Sequence, residues 1–200
     1  MIGDHHQHGY QRHPLRQLEQ WLADAADAGV PEPNAVAFLT ADSSARPTAR
    51  TVLLKRIEPH ALLFTSTLYS RKARDIHANP HVALLWYWPL VGRQIHLTGE
   101  AEIADRALAL ELFSERDLSH RLQTLVSRQG QPIDDIDDLR SRHAHLMDVM
   151  EAPPECPEDW GALRVLPHTV EFWLQAPDRM HDRILYVRHA DAWHRSRLAP

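Results

Sequence analysis

The order of the periodic segments restricts the fold of this chain more than any other feature. Short apolar runs typical of strands lie between residues 35 and 66, and longer ones follow over 82–88 and 94–103. Helical spacing of apolar residues prevails from about 105 to 150, and strand-like runs return between 163 and 197. Strands, then helices, then strands predict an α+β domain in which the late strands rejoin the early sheet.

Ahead of the first strand-like run, the chain carries a polar tail and one amphipathic helix. Residues 1–13 lack the apolar centre of a signal peptide, and their His-rich composition is typical of a solvated tail or of a weak metal site. Apolar residues at helical spacing follow at Leu15, Leu18, Trp21, Leu22 and Ala25. We expect a flexible tail over 1–13 without a metal site, and one domain over 14–200 whose helical segment covers about 104–150.

Composition argues against several classes of protein. The formal net charge of −5 is wrong for a broad nucleic-acid surface, which needs clustered excess Lys and Arg. No apolar run is long enough to cross a bilayer. The single cysteine, Cys156, cannot form an internal disulfide, so nothing indicates an oxidising compartment. We therefore expect a cytoplasmic protein with no nucleic-acid or membrane partner, in which any anion site is local.

The first candidate site is the start of a predicted helix at Ser70. Ser70 is a good N-cap residue, but Arg71 and Lys72 put two cations into the first turn, where the helix dipole favours acids. A bound phosphate would resolve this conflict, because helix N-termini and flanking cations together bind anions. Two solvated charges on a surface helix are the alternative, and this motif alone leaves both open.

The second candidate is the strand-like run of residues 50–55. Alternation places its two cations, Arg50 and Lys55, on opposite faces at the two ends of an apolar strand, where they can contact two different anionic groups. Charged side chains that simply extend into solvent at strand ends are the common alternative.

The third candidate is the segment of residues 179–183. If it is extended, Arg179, His181 and Arg183 point to one side, and an anionic or electron-rich group between them would relieve their repulsion. The preceding Trp173 has a ring that can pack on such a group, although core packing explains it equally well.

One apolar run predicts an interface between subunits. The run 82–88 ends in Trp86, Tyr87 and Trp88, which we expect to be exposed on a barrel of this size. Such a patch is larger than a monomer leaves in water, so the run favours a homodimer.

Taken together, these motifs resemble the pyridoxamine 5′-phosphate oxidase family in order and approximate spacing. The resemblance covers about Glu32 to the C-terminus and rests on residues 50–55, 70–72, 93–94, 171–173, 179–183 and 197–200. It implies an α+β fold built as a split β-barrel, which is a Greek-key antiparallel barrel with flanking helices. It also implies a homodimer that binds flavin mononucleotide (FMN) at the subunit interface.

The resemblance assigns roles to individual positions. Those that contact FMN in the family hold Arg50, Thr51, Val52, Leu53, Lys55, Thr65, Ser66, Arg71, Lys72, Gln94, Gln129, Trp173 and Arg183. Arg71 and Lys72 would grip its phosphate. Arg179 and His181 would enclose the substrate ring as the catalytic pair. The positions for the substrate phosphate hold Lys55, Leu112, Arg116 and His120.

The implied reaction is an FMN-dependent oxidation of pyridoxamine or pyridoxine 5′-phosphate. A hydride passes from the substrate to flavin N5, and dioxygen reoxidises the flavin to give hydrogen peroxide. The chain departs from the family pattern at Leu112 and His120, which replace Tyr and Ser beside the phosphate-binding Arg116. The departures favour an alternative, a PhzG-type oxidase of a reduced phenazine carboxylic acid. Split barrels that carry flavin or haem without oxidase activity are a further alternative.

Overall fold

The computed structural model describes residues 9–200, which form a nine-stranded antiparallel sheet with five flanking α-helices. The strands are β1 (Ala35–Ala41), β2 (Pro47–Leu53), β3 (Arg56–Ile57), β4 (Leu62–Thr67), β5 (His81–Trp88), β6 (Arg93–Ile103), β7 (Trp160–Leu174), β8 (Asp182–His189) and β9 (Ala192–Leu198). The helices are α1 (Pro14–Asp27), α2 (Arg71–Ala78), α3 (Arg106–Ser114), α4 (Leu118–Val126) and α5 (Ile136–Val149). The predicted α+β order is therefore confirmed.

The sheet is organised around β7. The strand order is β2-β1-β5-β6-β7-β4-β3, and β8 also pairs with β7 while β9 pairs with β8. On one edge β7 pairs with β6 from Leu163 to Leu174. On its other edge residues 160–165 pair with β4, and residues 169–174 pair with β8. The C-terminal strands thus rejoin the early sheet through a single long strand.

Two strand-like runs of the sequence, near 163–166 and 170–174, belong to one strand in the structure, because β7 is continuous through Pro167. The ladder to β6 shifts register between Thr98 and Gly99, where Gly99 faces Pro167. A proline cannot donate a ladder hydrogen bond, so an irregular register is where a strand tolerates it. A Cβ atom at Gly99 would overlap the carbonyl oxygen of Leu166, so only glycine allows this close approach.

One face of the sheet is buried under α1. That helix begins at Pro14 with His13 as its N-cap, and it directs Leu15, Leu18 and Trp21 into the core. Phe172 of β7 is fully buried at the centre of this core. Its ring contacts those of Trp21 at 5.0 Å, Tyr186 at 5.7 Å and Tyr10 at 6.3 Å between centroids.

The segment just before α1 is anchored rather than free. The Tyr186 hydroxyl donates to the carbonyl of Gln11 at 2.7 Å, and Arg195 donates to the carbonyl of Tyr10 at 2.8 Å. Both contacts fall within residues 1–13, the range of the predicted flexible tail. The histidines His5, His6 and His8 of that predicted tail lie outside the described residues.

A second, smaller core lies on the opposite face of β4 and β7, beneath α3. It consists of Leu63, Leu108, Ala109, Leu112, Phe113, Trp160 and Ala162. The Phe113 and Trp160 rings meet edge to face at 5.0 Å. Because neighbouring residues of a strand face opposite ways, Leu62 serves the α1 core while Leu63 serves this one.

Of the three aromatic residues on β5 that we expected to be exposed, two are buried, so the prediction was wrong for those two. Trp86 is 0% exposed and Trp88 is 3% exposed, because both point into the α1 core. Tyr87 lies on the other side of the sheet and is 55% exposed. An apolar run does not reveal which of its residues face inward when both faces of a sheet are partly covered.

Within residues 9–200, each helix is too short or too polar to cross a bilayer.

Candidate functional site

The start of α2 is built as predicted. Ser70 is the N-cap, and its Oγ atom accepts a hydrogen bond from the backbone N–H of Ala73 at 3.4 Å. Ser66 at the end of β4 lies 2.9 Å from the same oxygen. The strand therefore ends where the first turn of the helix presents Arg71 and Lys72.

Lys72 is a buried cation. It is 6% exposed, and its Nζ atom donates to Ser70 Oγ at 3.4 Å and to Gln129 Oε1 at 3.5 Å. Among the described residues, none places a carboxylate within 4.0 Å of this amine. Burial, with a smaller contribution from the positive charge of Arg50, lowers the pKa of Lys72 to about 8. A buried ammonium without a carboxylate indicates that an anion completes its surroundings.

Gln129 reaches this site from the end of the helical segment. Its Oε1 atom also accepts a hydrogen bond from Thr67 Oγ1 at 3.1 Å, and its backbone N–H donates to the hydroxyl of Tyr69 at 3.3 Å. The loop after α4 thus closes over the junction of β4 and α2. Thr65, which was predicted beside Ser66, alternates to the other face of β4.

Arg50 lies on β2 next to the same junction. Its guanidinium donates to the carbonyl of Phe38 at 3.1 Å, to Thr40 Oγ1 at 2.8 Å and to Thr48 Oγ1 at 2.5 Å. Asp75 of α2 lies 3.9 Å from Arg50. Burial lowers the pKa of this guanidinium, and Asp75 partly opposes the shift.

We call Arg50, Arg71 and Lys72 the basic cluster. Asp75 lies 3.8 Å from Arg71 as well as near Arg50. Within residues 9–200 it is the only carboxylate within 4.0 Å of a cationic nitrogen of the cluster. Three positive charges therefore face one negative charge, so the local charge is positive in a chain of net charge −5.

A second group of predicted residues forms a row across the sheet. Gln94 of β6 lies opposite Trp173 of β7, which lies opposite Arg183 of β8. Directly paired residues project from the same face, so the three side chains stand side by side. Arg183 donates to Glu171 Oε1 at 2.7 Å, and this bond raises the pKa of Arg183.

Of the predicted catalytic pair, His181 lies beside this row, and neither residue lies on an extended strand as expected. Residues 175–181 form a turn, and Arg179 has a left-handed φ of 65°. The His181 ring lies 4.6 Å from that of Trp173. Its Nδ1 atom accepts a hydrogen bond from the backbone N–H of Ala176 at 3.1 Å, so the neutral ring carries its proton on Nε2.

Three of the residues predicted to bind a substrate phosphate, Leu112, Arg116 and His120, differ in how far their side chains are exposed to solvent. Arg116 stacks over Trp160 at 5.4 Å and donates to Thr124 Oγ1 at 2.6 Å. Leu112 is only 3% exposed and belongs to the core under α3, where it offers almost no surface to a ligand. His120 is largely exposed and lies 3.8 Å from Asp117.

The remaining predicted positions lie on or after β2. Thr51 and Lys55 are exposed, Leu53 is half-buried at the end of the strand, and Val52 packs against the α1 core. The backbone N–H of Lys55 bonds to the carbonyl of Leu63, which fixes the chain beside β4.

Sequence reasoning missed four polar residues of the site. They are Thr40, Thr48, Thr67 and Asp75. A signal for Asp75 was present, because it follows Arg71 by four residues and shares one face of α2 with it. The threonines carried no such signal, since their roles depend on strand pairing.

Family profiles match most of the chain. Residues 22–149 match the family described as pyridoxamine 5′-phosphate oxidase. Residues 160–200 match the pyridoxine 5′-phosphate oxidase C-terminal dimerisation region. Two similar proteins are named pyridoxine/pyridoxamine 5′-phosphate oxidase. The one from Paraburkholderia phytofirmans is 37% identical over 94% of this chain and 90% of its own length. The one from Rubrobacter xylanophilus is 39% identical over 94% and 87%.

Solved structures give the same fold. PhzG from Burkholderia lata, in complex with tetrahydrophenazine-1-carboxylic acid, superimposes with a TM-score of 0.89 at 30% identity, covering 95% of this chain and 94% of PhzG. A pyridoxamine 5′-phosphate oxidase-related, FMN-binding protein from Nostoc punctiforme superimposes with a TM-score of 0.77 at 19% identity, covering 96% and 100%. The predicted split-barrel fold is confirmed.

Proposed function

Because this chain belongs to the pyridoxamine 5′-phosphate oxidase family and is an FMN-dependent oxidoreductase, we propose that it oxidises pyridoxine or pyridoxamine 5′-phosphate, with the flavin phosphate at the basic cluster and dioxygen as the acceptor. The main support for this cofactor site is the burial of Lys72, a cation whose hydrogen-bond partners are neutral.

The residues at this site fit a phosphate monoester. Near neutral pH such a group carries between one and a half and two negative charges, roughly the excess of the basic cluster over Asp75. Hydroxyls of Ser66, Thr67 and Ser70 and the amide of Gln129 offer further donors around Lys72. The cluster would bind one terminal phosphate, and its helix start is suited to that task.

The row of Gln94, Trp173 and Arg183 would contact the flavin ring. When bound, FMN supplies the redox chemistry, taking a hydride from the substrate and passing its electrons to dioxygen. Trp173 offers an aromatic surface, and Arg183 brings positive charge whose direction Glu171 fixes. His181 would donate from Nε2 to the substrate ring, since Nδ1 is occupied by the Ala176 N–H. Arg179 would close the other side of the substrate from the adjoining turn.

We expect His181→Ala to keep FMN bound and to slow flavin reduction by substrate roughly tenfold to a hundredfold, because one positioned donor is lost. Stopped-flow absorbance of the flavin measures reduction and reoxidation separately. His145→Ala, at an exposed position on α5, is the matched control and should change neither rate. Slowing of the oxygen step alone would contradict the role given to His181.

A second candidate substrate is a reduced phenazine carboxylic acid. Leu112 is buried and apolar, so it gives the substrate anion site no hydrogen-bond donor. Lys55 and Arg116 remain, which is fewer donors than a phosphate group uses. The planar guanidinium of Arg116, held against Trp160 by Thr124, suits a carboxylate. The similarity to PhzG supports the same candidate.

A substrate panel distinguishes the two. We expect hydrogen peroxide formation with pyridoxine 5′-phosphate, and a kcat/KM at least about tenfold above that for unphosphorylated pyridoxine, because one charged contact is worth roughly that much. Arg116→Met should remove most of this preference, whereas Arg140→Met on the exposed face of α5 should not. If only a reduced phenazine carboxylate reduces the flavin, the second candidate is correct.

A homodimer follows from the same proposal. The match to the dimerisation region covers residues 160–200, which include β7, β8 and β9 and therefore Trp173, His181 and Arg183. The sheet face that bears this row also bears Leu85 and Leu185, both only partly buried in one subunit. Pairing through this face would cover those residues.

A further inference from the structure

A buried carboxylate lies behind the basic cluster, and the proposed flavin site makes no direct use of it. Asp75 is 5% exposed, and its Oδ2 atom accepts hydrogen bonds from Thr40 at 2.6 Å and Thr48 at 3.2 Å. The same oxygen lies 3.9 Å from Arg50 and 3.8 Å from Arg71. These distances are too long for hydrogen bonds, so Asp75 acts on both guanidinium groups through its charge.

Thr40 and Thr48 hydrogen-bond to both Asp75 and Arg50, so they orient the guanidinium of Arg50 whether or not residue 75 is charged. Each hydroxyl donates its hydrogen to Asp75, which leaves its lone pairs for the guanidinium of Arg50. An asparagine at position 75 can present its carbonyl oxygen to Thr40 and Thr48 in the same way. Asp75→Asn therefore removes the charge while it preserves the acceptor that orients the hydroxyls.

We propose that Asp75 is a positioning residue that acts as an internal counter-ion of the cofactor site. Before the flavin phosphate binds, its charge holds Arg50 and Arg71 together against their mutual repulsion and that of Lys72. After binding, the same charge opposes the phosphate. The site is thus formed without its ligand, at a cost in affinity. This proposal rests on the proposed function, because it requires the phosphate at the basic cluster.

The test compares FMN with riboflavin, which lacks the phosphate, on full-length wild type and Asp75→Asn. Flavin fluorescence gives the dissociation constants, and thermal denaturation gives the stability of the apo protein. We expect FMN to bind the variant roughly fivefold tighter, since one repelling charge at short range is removed. Riboflavin affinity should stay unchanged, and the Tm of the apo protein should fall by about 3–8 °C. Asp137→Asn, an exposed acid paired with Arg140, is the matched control.

If the variant is folded, either of two results would overturn the proposal. Weaker FMN binding with unchanged riboflavin binding would mean that the charge of Asp75 is needed for the bound geometry. Weaker binding of both flavins would mean a merely structural role. If the apo variant is unfolded, FMN but not riboflavin is expected to restore folding, and failure of FMN to do so also rejects the proposal. Equal affinity of wild type for the two flavins would instead reject the phosphate site itself, and this inference with it.

Discussion

Replacing Lys72 by methionine is expected to weaken FMN binding about a hundredfold. The ammonium is the innermost cation of the basic cluster, and charge-assisted hydrogen bonds to a phosphate are worth roughly 1.5–3 kcal/mol. The same change should stabilise the apo protein, because it removes a buried charge that no carboxylate of residues 9–200 balances. Few substitutions both lower the affinity for FMN and raise the stability of the apo protein, so the two effects together would identify Lys72 as a buried phosphate-binding cation.

Titration of Lys72 gives this result a pH dependence. In the apo protein its pKa is about 8 instead of the usual 10.5, so FMN affinity should fall as pH rises above about 8, when the free site loses its ammonium. Apo stability should rise over the same range. Between about pH 8 and 10.5 the unfolded chain binds the proton that the folded chain has released, and stability increases with pH wherever the unfolded state binds more protons.

Fluorescence titration with FMN and riboflavin between pH 6 and 10 measures these effects. Lys72→Met should show a weak, nearly flat FMN profile up to pH 9 and unchanged riboflavin binding. Arg74→Met, which removes an exposed cation of the same helix, is the control and should behave as wild type. An FMN affinity that Lys72→Met leaves intact would show that the phosphate binds elsewhere.

Truncating Phe172 to alanine should reduce the free energy of unfolding by about 3–5 kcal/mol, the usual cost of removing a fully buried aromatic ring. Phe172 is 0% exposed and joins the rings of Trp21, Tyr186 and Tyr10, so the cavity would lie where α1 and the N-terminal segment meet the sheet. Chemical denaturation monitored by tryptophan fluorescence provides the measurement.

Leu110→Ala serves as the comparison for Phe172→Ala, because Leu110 of α3 is 48% exposed and should change stability by less than about 1 kcal/mol. If Phe172→Ala lowers the free energy of unfolding by less than about 1.5 kcal/mol, the surrounding side chains must collapse into the cavity. In that case the ring cluster does not hold α1 on the sheet as described.

Features that depend on neighbouring residues in the chain were predictable. The N-cap at Ser70 and the acidic first turn of α5 follow from side chains within one turn of the helix end. The hairpin of β1 and β2 follows from the turn residues between two apolar runs. The helix start at the basic cluster could therefore be predicted from the amino-acid sequence alone.

Features that depend on contacts between distant residues were not predictable in the same way. The Lys72 amine meets Gln129, 57 residues away, and no local pattern records that distance. The inward direction of Trp86 and Trp88 depends on what covers each face of β5. β7 continues through Pro167 because the ladder to β6 shifts register where that proline lies opposite Gly99. The spacing of Asp75 from Arg71 was visible in the sequence, but its burial beside Thr40 and Thr48 depends on strand pairing.

The central position of β7 has a consequence for synthesis of the protein. β4 emerges from the ribosome early, yet its long partner is residues 160–165, about a hundred residues later, and until then its only ladder is the two-residue β3. The α1 core lacks Phe172 for the same period. Until then the nascent chain exposes the unpaired, apolar edge of β4, which is a site for aggregation or chaperone binding. We expect stable structure to form only after residues 160–174 have been synthesised, because they close both the sheet and its core.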